Sequence, residues 1–298
     1  GLELTIDTKN IQTKEFSWTS SFNISFNRNK VLSLNDDEPS LASRVNWGNF
    51  NNAYPYIAIP GHPIAMFYGH IFDGVYQYTD FDKVGESYIL KDGVPNNGNA
   101  REKIQPGDIK FKDINRDGVV NDYDLTIIGN PNPKHIGGFG NNFQYKNFDL
   151  NVFFQWSYGG DVLNANRIEF EGGDPNARTS LNMFASFANR WTPENQTNEL
   201  YRIGGQGPAV YSSRTIEDGS FLRLKTVSLG YRLPNAWLKK INIKSLRVYA
   251  SAQNLITWTR YSGPDPEVST RPTALTPSFD WSPYPRPRTL TLGVDISF

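Results

Sequence analysis

Phe16-Ser17-Trp18-Thr19-Ser20-Ser21-Phe22-Asn23-Ile24-Ser25-Phe26 is the stretch that decides the fold. Its odd face, in order, is polar: Ser17, Thr19, Ser21, Asn23 and Ser25. Phe16, Trp18, Phe22, Ile24 and Phe26 stand on the other face, interrupted only by Ser20. A period of two is the mark of a strand with one wet face and one apolar face. The same alternation returns at the chain end, where Leu290, Leu292, Val294, Ile296 and Phe298 oppose Thr289, Thr291, Gly293, Asp295 and Ser297. Leu2, Leu4 and Ile6 repeat it, as do Phe148, Leu150, Val152, Phe154, Trp156 and Tyr158, with Phe153 out of step. Weaker versions run over Phe139–Tyr145, Phe221–Leu233 and Leu246–Ile256. These make seven strands, most of them longer than the ~5–6 residues usual in a globular sheet.

The connections between them also alternate. Asn10–Glu15, Lys146–Asn147 and Asn235–Lys244 are short, whereas Lys30–His135, Gly159–Ser220 and Thr257–Arg286 are very long. Loops of that length are uncommon in compact domains. Dyad-repeat strands, short turns at one end and long loops at the other describe an antiparallel transmembrane β-barrel, all-β in class. A β-sandwich or jelly roll also alternates. Aromatic residues at strand ends (Phe16, Trp18, Trp156, Tyr158) favour the barrel, because interfacial girdles need them there. An odd number of strands does not close a bacterial single-chain barrel, and raw sheet edges are not tolerated in hydrocarbon. The reading is therefore that residues 1–298 form the C-terminal strands of a larger barrel, whose remaining part supplies the other strands and any signal peptide.

Composition agrees and excludes several classes. The 298 residues carry 30 basic and 30 acidic side chains, so the basic excess expected of a nucleic-acid binder is missing. Without cysteine there is no disulfide framework, thiolate metal site or cysteine nucleophile. No run of about 18 apolar residues offers a membrane-spanning helix. Nineteen Phe, 15 Tyr and 7 Trp beside 2 Met lean towards strands.

One motif carries chemistry. Asp113-Ile-Asn115-Arg-Asp117-Gly118-Val119-Val-Asn121-Asp-Tyr-Asp124 has the spacing of an EF-hand cation loop. Oxygen donors fall at loop positions one, three, five and nine, a carbonyl (Val119) at seven, a glycine at the sharp turn and a carboxylate at twelve. Asp124 stands where glutamate is usual and reaches an ion less easily with both oxygens. The expected occupant is structural Ca²⁺ or Mg²⁺, and the other reading is an acidic Asx-turn without an ion. His62, His70 and His135 lack the spacing of a catalytic zinc site. No nucleophile elbow or phosphate loop appears, and the carboxylates Glu169 and Glu171 read as loop charges, so no enzyme and no organic cofactor is expected. Ser180–Trp191 could form a short helix docked on the barrel, and seven prolines from Pro264 to Pro287 stiffen the last loop.

Several stretches together resemble the SusC/RagA-type TonB-dependent outer-membrane transporters. They are Pro106-Gly-Asp-Ile-Lys-Phe-Lys-Asp-Ile-Asn-Arg-Asp-Gly118, Ile128-Gly-Asn-Pro-Asn-Pro133, Tyr145-Lys-Asn-Phe-Asp-Leu150, Gly219-Ser-Phe-Leu-Arg-Leu-Lys225, Leu229-Gly-Tyr-Arg-Leu-Pro234, Gln253-Asn-Leu255 and Gly263-Pro-Asp-Pro-Glu267. The resemblance implies a barrel of about 22 strands with a plugged lumen, the plug and the TonB-contacting segment lying outside this chain. It also implies a SusD-like surface lipoprotein, the TonB complex as energy source, and outer-membrane lipid around the strands. Import of an oligosaccharide or oligopeptide is then the expected function, with the long loops extracellular. Tyr68, Tyr76, Tyr78, Trp281 and Tyr284 are the candidate substrate contacts. A secreted, calcium-stabilised β-sandwich that binds glycan without transport is the alternative.

Overall fold

A computed structural model describes residues 1–45, 53–172, 182–208, 211–238, 242–270 and 273–298. All seven alternating segments are strands: β1 (Leu2–Gln12), β2 (Phe16–Phe26), β3 (His135–Tyr145), β4 (Phe148–Tyr158), β5 (Phe221–Arg232), β6 (Ser245–Thr259) and β7 (Thr289–Ser297). They form one antiparallel sheet in which each strand pairs with the next in the chain. β1 and β7 are its edges.

The register keeps like with like. Phe22 stands opposite Ile6 and Phe139, Phe139 opposite Phe154, Leu150 opposite Phe143 and Leu229, and Val294 opposite Val248. Such cross-strand apolar ladders are the unit of sheet stabilisation. Trp18 stacks on Phe143 at 5.7 Å and Phe148 meets Tyr231 at 4.6 Å. A Cβ on Gly137 would lie 2.3 Å from the Trp156 ring and 2.5 Å from the Asn23 carbonyl, so glycine alone lets that indole lie across β3. Asn141, opposite Ser20, is a polar residue on this face. It is buried and its Oδ1 accepts from Trp18 Nε1 (2.9 Å) and Ser20 Oγ (2.7 Å), so the buried oxygen is satisfied locally. The apolar face otherwise stays open: Leu4, Ile6, Leu229, Leu292 and Val294 are all exposed.

The polar face is covered by the loops at one end of the strands. Arg247 on β6 grips Asp149 on β4 with two hydrogen bonds (3.0 and 2.6 Å) and reaches Asp295 on β7 at 3.2 Å. Towards the strand ends that open into the long loops, Asn23, Gln155 and Ser157 share a cavity with Pro133, Asp161, Glu267 and Ser278 from those loops. A sandwich would instead press two sheets together through their apolar faces. The sandwich alternative therefore fails on which face is buried.

The three long loops fold together into a layer with its own core. Short strands at Leu41–Ser43, Tyr56–Ala58, Met66–Gly69 and Thr126–Gly129 make a four-stranded sheet. Asp161–Asn164 pairs with Ile216–Asp218 and, in parallel, with Phe279–Asp280, so loops two and three share a sheet. Tyr56, Phe67, Leu163 and Phe279 are fully buried at its centre, each side chain worth about 1.5–3 kcal/mol of burial. A second cluster holds Val75, Ile109, Phe111, Val120 and Trp191. The Tyr56 hydroxyl, raised far above the ordinary phenol range by burial, donates to the Pro277 carbonyl at 2.7 Å across 221 residues of sequence. Of the helix expected over residues 180–191, the described part is a 3₁₀ turn at Ala185–Asn189; Ser180 and Leu181 lie outside the described residues.

Candidate functional site

The cation-loop residues lie in the loop layer, just before the strand Thr126–Gly129. Asp113 accepts from Arg116 N (2.6 Å) and Gly118 N (2.8 Å), Asn115 Oδ1 from Asp117 N (3.0 Å), and Asp117 Oδ1 from Val119 N (2.8 Å). Gly118 has φ +84°, a conformation that side chains resist. Asn121 caps the short turn Asp122–Asp124, its Oδ1 accepting from Tyr123 N and its Nδ2 donating to the Val119 carbonyl. Asp124 is fully buried, one oxygen accepting from Ile114 N (2.7 Å) and the other from Asn121 N (2.9 Å). The loop is thus folded by side-chain oxygens that receive its own amides, the geometry of successive Asx-turns. Among the described residues, no group of three or more histidine or acidic side chains converges on one point. The donors are the hard oxygens that Ca²⁺ and Mg²⁺ take; the Asp113 and Asp117 oxygens each keep a lone pair beyond the one N–H they accept, whereas Asp124 Oδ1 already receives both Ile114 N and Asn115 N. In composition the residues fit such an ion, which would be held by Asp113, Asn115, Asp117, the Val119 carbonyl, Asn121 and Asp124.

The five aromatic candidates are scattered. Tyr76 is a core residue with no exposed surface, its hydroxyl donating to the Pro95 carbonyl at 2.7 Å, so its ring is not a stacking platform. Tyr78 packs between Tyr88 and Trp191. Trp281 stacks on Phe170 at 6.2 Å against the first core. Tyr284 is 90% exposed. Tyr68 alone lines a cavity with other rings, which sequence reasoning passed over: Tyr54, His70, Tyr123 and Tyr211. They sit on three segments far apart in the chain, and no local pattern joins them.

A second assembly fastens the last loop to the sheet. Arg223 on β5, fully buried, reaches Asp265 Oδ1 (2.5 Å), Glu267 Oε2 (3.1 Å) and Thr257 Oγ1 (3.0 Å). Arg286 closes the group on Glu267 at 3.0 Å. Two of the stretches that carried the family resemblance, 219–225 and 263–267, thus meet in one ion-pair network. Deeper in the layer, Glu171 holds Arg167 and Arg214 at 2.9 and 2.7 Å. Burial alone would raise its pKa, but the two guanidiniums and Ser186 outweigh that and leave it below the usual carboxylate range. Burial pushes Asp280 the other way, against the Tyr261 hydroxyl that donates to it.

This arrangement has close parallels. TonB-dependent receptor P3 of Formosa agariphila is 35% identical to the whole chain, which covers 28% of that receptor. Over its whole length the chain is related to TonB-dependent receptors of the SusC type. TonB-dependent receptor P26 of the same organism is 32% identical, and SusC of Bacteroides thetaiotaomicron 29% identical with 26% of its length matched. The chain spans under a third of the length of these curated relatives. The solved structure of the RagAB peptide transporter superposes on 99% of the chain with a TM-score of 0.72 at 24% identity, matching 29% of its own chain. That likeness speaks for the fold: antiparallel strands with very little helix, as in TonB-dependent receptors. No protein-family model matches the chain.

Proposed function

We propose that this chain is the C-terminal barrel part of a TonB-dependent importer in the outer membrane of a Gram-negative cell. The observation that carries the proposal is the 35% identity to a TonB-dependent receptor along the entire chain, joined to a sheet whose apolar face is open while its polar face meets the loops at one end of the strands. The remaining receptor would pair with the free edges of β1 and β7 and fill the lumen with its plug. It does no covalent chemistry: energy enters through the TonB complex, and substrate is taken up between the extracellular loops and a SusD-like lipoprotein. Phe298, ending β7's alternation, would lie on the periplasmic side with the turns at residues 13–15 and 146–147. The substrate is an oligosaccharide or oligopeptide. In the same reading a divalent ion staples the loop from Asp113 to Asp124, offsetting the mutual repulsion of three carboxylates.

The test is genetic and uses the full receptor. Deleting its gene and, separately, tonB should each abolish growth on the nutrient that induces it, and the receptor should fractionate with the outer membrane. Uptake that persists without tonB would refute the transport reading.

A further inference from the structure

Three strand ends meet on the apolar face where the sheet gives way to the long loops. Phe26 closes β2, His135 opens β3 and Tyr158 closes β4. The His135 ring stacks on Tyr158 with centroids 5.1 Å apart and tilts against Phe26 at 5.6 Å. Trp156 Nε1 donates to His135 Nδ1 at 3.1 Å, so the imidazole proton sits on Nε2 and the ring keeps a donor of its own. Trp and Tyr side chains favour the boundary between hydrocarbon and water. Cations accompany these rings. The exposed Lys134 places Nζ 5.8 Å from the Tyr158 ring centre, within cation–π range. Arg28, also exposed, continues the even positions of Phe22, Ile24 and Phe26. Its run stays beside that of Lys134, because Asn29 Nδ2 donates to Asn132 Oδ1 at 3.0 Å. The acids at this level, Glu3 and Asp161, border the cavity on the polar face, although Asp161 is close enough to feel the Lys134 charge.

We propose that this rim binds the phosphate of an acylated, phosphorylated glycolipid in the outer leaflet of the membrane. The proposal rests on the reading that the long loops are extracellular, and it names a ligand of the outer wall rather than cargo. Lysine and arginine make charge-assisted hydrogen bonds to phosphate oxygens, stronger than those between neutral groups. Below them the wall is an apolar ladder, with Ile6, Phe22, Phe139 and Phe154 in register across four strands, along which acyl chains can pack. Only an amphiphile with an anionic head uses both features. Inorganic phosphate would meet the cations and leave the ladder idle, and a neutral lipid would cover the ladder and leave the cations without counter-charge. Position chooses between anionic amphiphiles, because the loop end of the strands lies in the outer leaflet, where the phosphorylated glycolipid of a Gram-negative cell resides.

The experiment uses the full-length receptor purified in neutral detergent and counts bound lipid by native mass spectrometry. The probes are monophosphoryl lipid A, its dephosphorylated form, phosphatidylglycerol and inorganic phosphate. Monophosphoryl lipid A should bind most tightly and should resist displacement by inorganic phosphate. Lys134→Ala and Arg28→Ala should each raise its Kd about fivefold, the share of one cation at a lipid surface. Lys14→Ala, on the short turn at the opposite end of the strands, should leave it unchanged. All three residues are exposed, and unchanged heat-modifiable gel mobility shows that the barrel is folded. The inference is overturned if the dephosphorylated form or phosphatidylglycerol binds as tightly, or if inorganic phosphate displaces the lipid. It is overturned equally if Lys134→Ala and Arg28→Ala bind as the parent does, or if Lys14→Ala weakens binding as much as they do. Uptake without TonB would sink the transport reading and leave a measured lipid affinity standing, whereas TonB-dependent uptake without lipid binding would sink this inference alone.

Discussion

Leu292, in the middle of β7, leaves 86% of its surface exposed, whereas Phe67, in the loop layer, leaves none. The sheet and the loop layer use the same apolar residue types with opposite sense. In the loop layer Tyr56, Phe67, Leu163 and Phe279 point inward and arginines pair with acids beneath the surface, the order expected in water. In the sheet Leu229, Leu292, Val294 and Phe139 stay exposed, and Asp149, Arg247 and Asp295 pair with one another on the opposite face. On the transport reading proposed above, one chain meets two solvents, hydrocarbon against one sheet face and water around the loops. On that reading, alternation lets a chain of mean hydropathy −0.52 keep seven strands with an apolar face.

The largest expected effect is in the loop core. Phe67→Ala should destabilise the loop layer by about 3–5 kcal/mol, read as faster hydrogen exchange at residues 56–58 and 126–129. Leu292→Ala, with no protein core to leave empty, should leave the same amides unchanged. Equal effects of the two substitutions would break the contrast.

The sheet answers to charge instead. Phe154→Arg, near the middle of β4, should cost about 2–4 kcal/mol in the bilayer and lower the yield of assembled receptor. Gln155→Arg, one residue on and on the loop-covered side, should assemble normally. Heat-modifiable mobility of the two variants in outer-membrane fractions checks this.

Smaller effects sharpen the picture of the loop layer as an aqueous fold. Glu171 has its pKa held below its ordinary 4.5. A depressed carboxylate contributes stability above the unfolded value, and that contribution disappears as pH falls through the folded value. Protease resistance of the loops should hold at neutral pH and decline below about pH 4.5, and Glu171→Gln should begin lower and decline less steeply. Asp117→Ala, or a chelator, should raise cleavage between residues 107 and 130 without affecting barrel assembly. No change with either would leave the segment as a set of Asx-turns alone.

The strands were legible in the residues because alternation is local: Phe16 to Phe26 is a strand with one greasy face before any partner is known. Even so, the weak glycine-rich start of β3 hid four residues, His135 to Gly138, which are paired to Trp156 and its neighbours. The loop layer was not legible. Its strands are two to four residues long, too short for periodicity to register, and its decisive contacts join distant segments, as Tyr56 does with Pro277. For that reason Tyr76 passed for a surface ring when it is core, and Tyr54, Tyr123 and Tyr211 went unnoticed. The Arg223 network left a trace in two family-like stretches, but only the fold brings them together.

The central claim is the direction of the sheet's faces. The chain has no cysteine, so single-cysteine spin labels at positions 154, 155, 292 and 295 of the full receptor in liposomes test it cleanly, provided the rest of the receptor is made cysteine-free. Labels at 154 and 292 should be relaxed by lipid-soluble oxygen and shielded from a water-soluble nickel chelate, and those at 155 and 295 should show less oxygen exposure. The reverse parity, with 155 and 295 in lipid, would contradict the account, because a slip of one residue turns every side chain to the opposite face.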